Sequence, residues 1–176
     1  LLGGEPEIKS NELNLPDWPI ITKQDEEAVL RVIRSGNLWG KEHPEVIAWE
    51  NEFAKYVGTK YALALNSGTA ALHACIAGIG TEPGDEILVP SLTFLASATA
   101  VLHHNAIPIF VDIDPDTFNM DPSKIEEKIT DRTKAIMAVD YHGLPAEYDT
   151  INEIARKHSL VVIEDGSQAN GASYKG

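Results

Sequence analysis

Cysteine is almost missing from this chain. Cys75 is the only one among 176 residues, so no intrachain disulfide can form, and a reducing compartment is the setting that fits. Lying in the apolar run Ala70-Ala71-Leu72-His73-Ala74-Cys75-Ile76-Ala77, it reads as a small buried apolar residue. Positive charge is scarce too: 14 Lys and Arg stand against 27 Asp and Glu, a formal net charge of −13. Such an acidic surface repels phosphate backbones and anionic lipid, so no nucleic-acid or membrane-surface partner is expected. A small phosphorylated ligand stays possible, because backbone N–H groups and helix N-termini bind phosphate locally. No apolar run reaches the length of a membrane span, and the opening LLGGEPEIKSNE lacks the basic-then-apolar layout of a signal peptide. A cytoplasmic protein is therefore expected. The phosphate-binding patterns G-x-x-x-x-G-K-[ST] and G-x-G-x-x-G do not occur, which disfavours a nucleoside triphosphatase or a nicotinamide dehydrogenase. Repeats and low-complexity segments are absent as well.

What is present is ordinary globular composition, 43% hydrophobic and 23% charged, in a length that suits about one domain. Residues 1–20 carry five Gly and Pro without any period and read as an extended arm. Residues 21–58 read as two helices. Thr22, with Asp25 three residues on, caps the first, which runs to about Ser35 with Ala28, Val29, Val32 and Ile33 on one face, and Gly36 ends it. The second spans about 45–57, turns Val46, Ile47, Phe53, Ala54 and Val57 inward, and stops at Gly58. From residue 59 short apolar runs alternate with helices. Strands are expected at 61–65, 86–89, 107–111, 135–139 and 160–163, and helices at 68–79, 93–104, 122–129 and up to His158, the last capped by Asp149. This rhythm predicts an α/β fold with a mostly parallel sheet covered on both faces.

In open parallel sheets ligands bind outside the carboxyl ends of the strands, and the unusual residues cluster at those ends. Ser67-Gly68-Thr69 precedes a helix start, where free N–H groups and the dipole suit an anion; an ordinary helix cap is the alternative. Asp165 follows the apolar run Leu160-Val161-Val162-Ile163. A carboxylate there loses hydration unless something cationic meets it, a protonated pyridine nitrogen being one such group and a helix cap or metal ligand the alternatives. No His or Cys stands at ligand spacing, so no metal is expected. Gln168, three residues on, is placed to hydrogen-bond a ring oxygen of the same ligand. Phe94, between a strand and a helix, is either a core aromatic or a ring that stacks on a flat cofactor. His73, His103, His104 and His158 show no partner pattern; His142 lies in a strand-end loop.

The motifs occur in an order that resembles one family. Asn66-Ser67-Gly68-Thr69-Ala70-Ala71-Leu72, Pro83-Gly84-Asp85-Glu86, Pro90-Ser91-Leu92-Thr93-Phe94, Val111-Asp112-Ile113-Asp114, Thr130-Asp131-Arg132-Thr133-Lys134-Ala135-Ile136 and Ile163-Glu164-Asp165-Gly166-Ser167-Gln168 together resemble the DegT/DnrJ/EryC1/StrS aminotransferases. The resemblance implies the three-layer αβα large domain of the aspartate-aminotransferase type (fold type I), incomplete here, and pyridoxal 5'-phosphate (PLP) as cofactor. It implies that Ser67, Gly68 and Thr69 hold the cofactor phosphate, Phe94 stacks on the pyridine ring, Asp165 pairs with the ring nitrogen and Gln168 contacts the ring hydroxyl. It also implies a homodimer, with the Trp39 loop a candidate contributor to the site. The expected reaction is amino transfer from glutamate or glutamine to a keto-sugar or cyclitol ketone. Gly3-Gly4-Glu5-Pro6, Trp18-Pro19 and the loop 35–40 are similar to members acting on cyclitol ketones or making aminohydroxybenzoate. Gly166-Ser167, Asn170 and Asp140 depart from the residues usual in the family. The family's Schiff-base lysine lies beyond the Asp165 motif and is not in this chain, and Lys175 does not match it. Residues 59–176 are thus expected to be part of a PLP-binding domain in a longer protein and inactive alone. A sugar dehydratase of the same family, with His in place of that lysine, and a non-catalytic binding or regulatory relative are the alternatives.

Overall fold

The computed structural model describes residues 19–176, in two compact units that divide between Ala64 and Leu65. The arm at 1–20, save its last two residues, and the motifs around Gly3 and Trp18 lie outside the described residues.

The first unit holds helices α1 (Lys23–Ser35) and α2 (Pro44–Val57) and a 3-10 turn, Gly40–Glu42. Helix α1 starts in a capping box: Thr22 accepts from the Asp25 N–H while the Asp25 carboxylate accepts from the Thr22 N–H. Gly36, at φ 67°, ends it in the left-handed region that glycine enters freely. His43 caps α2, and Gly58 closes it. Arg31 donates to Glu45 at 3.1 and 3.2 Å, tying the two helices. The expected inward faces stay open, however. No residue of α1 is buried, and Ala54 alone is buried in α2. Two helices without a further layer cannot cover both apolar stripes.

The second unit is a three-layer sandwich. Helix α3 (Gly68–Gly78) precedes strand β1 (Glu86–Pro90); helix α4 (Ala96–Leu102) links β1 to β2 (Ile107–Val111); β3 (Thr133–Val139), helix α5 (Tyr148–His158) and β4 (Val161–Asp165) follow. All four strands are parallel, in the order β2-β1-β3-β4. Alternate residues face opposite layers. Ile87, Val89, Ala135, Met137 and Ile163 pack on Leu72, Ile76, Ala100 and Val101 of α3 and α4. Leu88, Ile136 and Ala138 pack with Met120, Ile125, Ile151 and Ala155 on the α5 side. The central strands are apolar on both faces for this reason, and β1 is buried in all five residues.

Five local expectations are corrected. Residues 61–65 form no strand: among the described residues no ladder pairs them, the Ala64 N–H donates to the Glu50 carboxylate at 2.9 Å, and Tyr61 and Leu63 are exposed. Apolar composition supplies no neighbour for a ladder. The segment 122–129 folds as two 3-10 turns, Pro122–Lys124 and Glu126–Lys128, with Asp121 capping the first; it is too short to sustain an α-helix on local propensity. Helix α4 is shorter than 93–104, because residues 91–93 bend before Ala96. Asp149 lies inside the first turn of α5 instead of capping it. Its N–H donates to the Tyr174 hydroxyl at 3.3 Å, so the tail supplies the cap, and its carboxylate pairs with Lys175. Cys75 is exposed, contrary to its apolar setting: the buried stripe of α3 runs through Leu72 and Ile76.

Candidate functional site

The chain leaves β1 toward β2 on one side and later adds β3 and β4 on the other, so the sheet's switch point lies between β1 and β3. A crevice outside the carboxyl ends of such a pair is where α/β sheets take ligands. Pro90, Val139 and Asp165 close β1, β3 and β4 at that edge.

Asp165 is the last residue of β4 and faces the α3–α4 layer, since it shares the side of Ile163 two residues before it. Only 8% of it is exposed, yet among the described residues no Lys, Arg or His is in salt-bridge range. One carboxylate oxygen accepts from the Ser97 hydroxyl at 3.3 Å and the other from the Ser167 N–H at 3.2 Å. Ser97 has no exposed surface, and its hydroxyl lies 2.8 Å from that of Thr93. Ser97 carried no signal in the sequence, because a serine in an Ala-rich helix reads as filler, and Thr93 stood out only as part of the motif at residues 90–94.

Phe94 follows Thr93 directly and is 72% exposed, so it is not the core aromatic that its position also allowed. Ser67 caps α3, its hydroxyl accepting from the Ala70 N–H at 3.1 Å. The cap alternative therefore holds for the Ser67 side chain, and the N–H groups of Gly68 and Thr69, with the Thr69 hydroxyl, have no partner among the described residues. These free donors sit at the positive end of an 11-residue helix that packs against α4.

Gln168 is held against the loop after β3: its side-chain oxygen accepts from the His142 N–H at 2.8 Å, leaving its amide N–H groups without a partner among the described residues. His142 and Gly143 both adopt left-handed backbone, φ 53° and 86°. Asn119 pins the same loop by accepting from the Tyr141 N–H and donating to the Leu144 carbonyl, both at 2.9 Å. Asp140, 3% exposed, accepts from the Ala146 N–H at 3.0 Å and the Tyr148 hydroxyl at 2.7 Å. Burial, then the hydrogen bond to Asp140, pushes the Tyr148 hydroxyl well above the usual tyrosine range. Partial burial, then the Asp140 charge, likewise raises the Glu164 carboxyl.

The sequence-derived residues thus divide in two groups. Phe94's loop, Asp165 and Gln168 are joined through Ser97, Ser167 and His142, while Ser67, Gly68 and Thr69 stand at the start of the neighbouring helix. His73, His103 and His104 gather at the α3–α4 layer, with His73 Nε2 3.4 Å from His104 Nδ1. Among the described residues no group of three or more His, Cys, Asp or Glu is placed to hold a metal ion. No helix there is long and apolar enough to cross a membrane.

The donor set suits PLP. Free helix N-terminal N–H groups match its phosphate, and a buried carboxylate without a protein cation matches its protonated ring nitrogen. An exposed aromatic face and a free amide donor match its ring and hydroxyl.

An αβα parallel sheet with a buried strand-end carboxylate and free N–H groups at a neighbouring helix start fits the large domain of a PLP-dependent transferase. The sequence model of the DegT/DnrJ/EryC1/StrS aminotransferase family matches residues 19–176, and the chain belongs to that family. GDP-perosamine synthase of Caulobacter vibrioides is 50% identical over 131 residues, 74% of this chain and 35% of the relative. The UDP-2-acetamido-2-deoxy-3-oxo-D-glucuronate aminotransferase of Pseudomonas aeruginosa is 45% identical over 84% of this chain and 41% of its own length. The crystal structure of NtdA from Bacillus subtilis with bound cofactor PMP superposes with a TM-score of 0.81 at 36% identity, covering 87% of this chain and 36% of that one. The chain therefore spans about two fifths of the length of these curated relatives.

Proposed function

We propose that this chain is part of the cofactor-binding domain of a PLP-dependent aminotransferase, which moves an amino group from glutamate or glutamine to the ketone of a sugar or cyclitol. Residues 59–176 form part of that domain, and the full-length protein acts in the cytoplasm as a homodimer. The observation that carries the reading is Asp165, a buried carboxylate at a strand end with no cationic side chain to meet it among the described residues.

When bound, PLP supplies an electron sink for the substrate carbon next to the amine. Asp165 holds the proton on the ring nitrogen, which keeps that sink strong throughout the reaction. Gly68 and Thr69 anchor the phosphate through backbone N–H groups and the Thr69 hydroxyl. Phe94 would offer its exposed ring to one face of the cofactor's pyridine. Gln168 donates its amide to the ring hydroxyl while the His142 N–H fixes the amide's orientation.

The test is a PLP titration of the full-length protein, followed by borohydride reduction and peptide mapping. Retained cofactor, fixed on a lysine beyond residue 176, is expected. In Asp165→Asn, amino transfer from glutamate should fall at least about a hundredfold, the scale of one lost electrostatic contact at the reacting centre. Retained PLP with no attachment to lysine would favour the dehydratase or the binding protein, and absence of PLP binding would overturn the reading. Sedimentation of the full-length protein as a monomer would remove the homodimer.

A further inference from the structure

Asp165 is oriented from a helix on another strand's crossover. The Ser97 hydroxyl has one proton, and an ionised carboxylate can only accept, so that proton goes to Asp165. The Thr93 hydroxyl, 2.8 Å from Ser97, must then donate to Ser97. The polarity of the whole chain, Thr93 to Ser97 to Asp165, is set by the charge at its end, and each bond polarises the next. Thr93 precedes Phe94, so the chain ties the loop that carries the exposed aromatic to the carboxylate at the end of β4. Asp165 has a second donor, the Ser167 N–H, from its own loop. Among the described residues, Ser97 alone ties that carboxylate to an element outside its own loop. Ser97 has no exposed surface, so its hydroxyl is out of contact with bulk solvent.

We propose that Ser97, oriented by Thr93, is a positioning residue for the cofactor's ring nitrogen: it fixes the angle of the Asp165 carboxylate relative to the ring that Phe94 covers. The inference rests on the proposed PLP site. Ser97 touches neither substrate nor cofactor and acts through Asp165 alone. Its removal should therefore be felt by a ligand that has a ring nitrogen and not by one that lacks it.

The experiment measures dissociation constants of PLP, and of the analogue with carbon in place of the ring nitrogen, for the full-length parent, Ser97→Ala, Ser97→Thr and Thr93→Val. Ser97→Ala should weaken PLP about tenfold, the scale of one hydrogen bond to a charged group, and leave the carbon analogue unchanged. Ser97→Thr, which keeps the hydroxyl, should restore PLP binding. Thr93→Val should show a smaller loss with the same selectivity, and it carries the test if the added methyl of Ser97→Thr unfolds that variant. Equal losses for both ligands, or no loss for PLP in Ser97→Ala, overturn the positioning role while the site stands. A parent that binds no PLP overturns the site and this inference together.

Discussion

Glu86 begins β1 with a carboxylate that is 2% exposed. The Thr130 hydroxyl donates to it at 2.6 Å and Arg132 pairs with it from the far side of the chain turn. The Thr130 hydrogen bond first, and Arg132 after it, hold this carboxyl below the ordinary glutamate value. A lowered folded value means that the ionised form favours the fold. The stabilisation is complete above the unfolded pKa of about 4.3 and is lost as pH falls through the lower folded value. Glu86→Gln should accordingly be less stable than the parent at pH 7, with the difference closing in acid; urea unfolding across pH measures it. Asp165 differs in kind: its donors are neutral and no Lys, Arg or His among the described residues pairs with it, which is why it reads as a candidate site and Glu86 as structure. Asp165 was legible in the sequence because it ends an apolar strand. Ser97 was not, because its partner is 68 residues away and no local pattern reports such a contact.

Among the elements, helix starts carry most of the local information. Thr22 with Asp25, and Ser67, were readable as caps because capping is satisfied within three residues. Ser67→Ala should lower thermal stability by about 1 kcal/mol through loss of the α3 cap. The loop after β3 depends on a distant neighbour instead. Gly143 has φ 86°, and a Cβ there would lie 3.3 Å from the Gln168 carbonyl oxygen. Gly143→Ala should then cost about 1–3 kcal/mol from the left-handed backbone and displace Gln168. Paired melts of Gly143→Ala and Gly84→Ala check this: Gly84, at φ 93°, has open space where its Cβ would go, so it reports the backbone cost alone.

For the molecule as a whole, stability in the second unit should fall from the sheet's centre to its edges. Strands β1 and β3 are paired on both sides and covered by both helical layers. The edge strands β2 and β4 expose Phe110 and Val161. Hydrogen exchange should be slowest at the amides of β1 and β3 and faster in β2 and β4, because edge ladders open without unfolding the rest. Uniform protection across the four strands would contradict this ranking.

The sequence by itself determined most of the alternation of strands and helices in the second unit, the caps of α1 and α3, the glycine stops of α1 and α2, and the residues at the strand ends. Each of these depends on neighbours within a few positions or on the two periodicities of helix and strand. Tertiary structure alone decided that 61–65 stays unpaired, that α1 and the outer face of α3 remain open, that Tyr174 caps α5, and that Thr93 and Ser97 reach Asp165. Strand pairing, burial and long-range hydrogen bonds need a partner that the local chain does not specify, and only the folded arrangement supplies it.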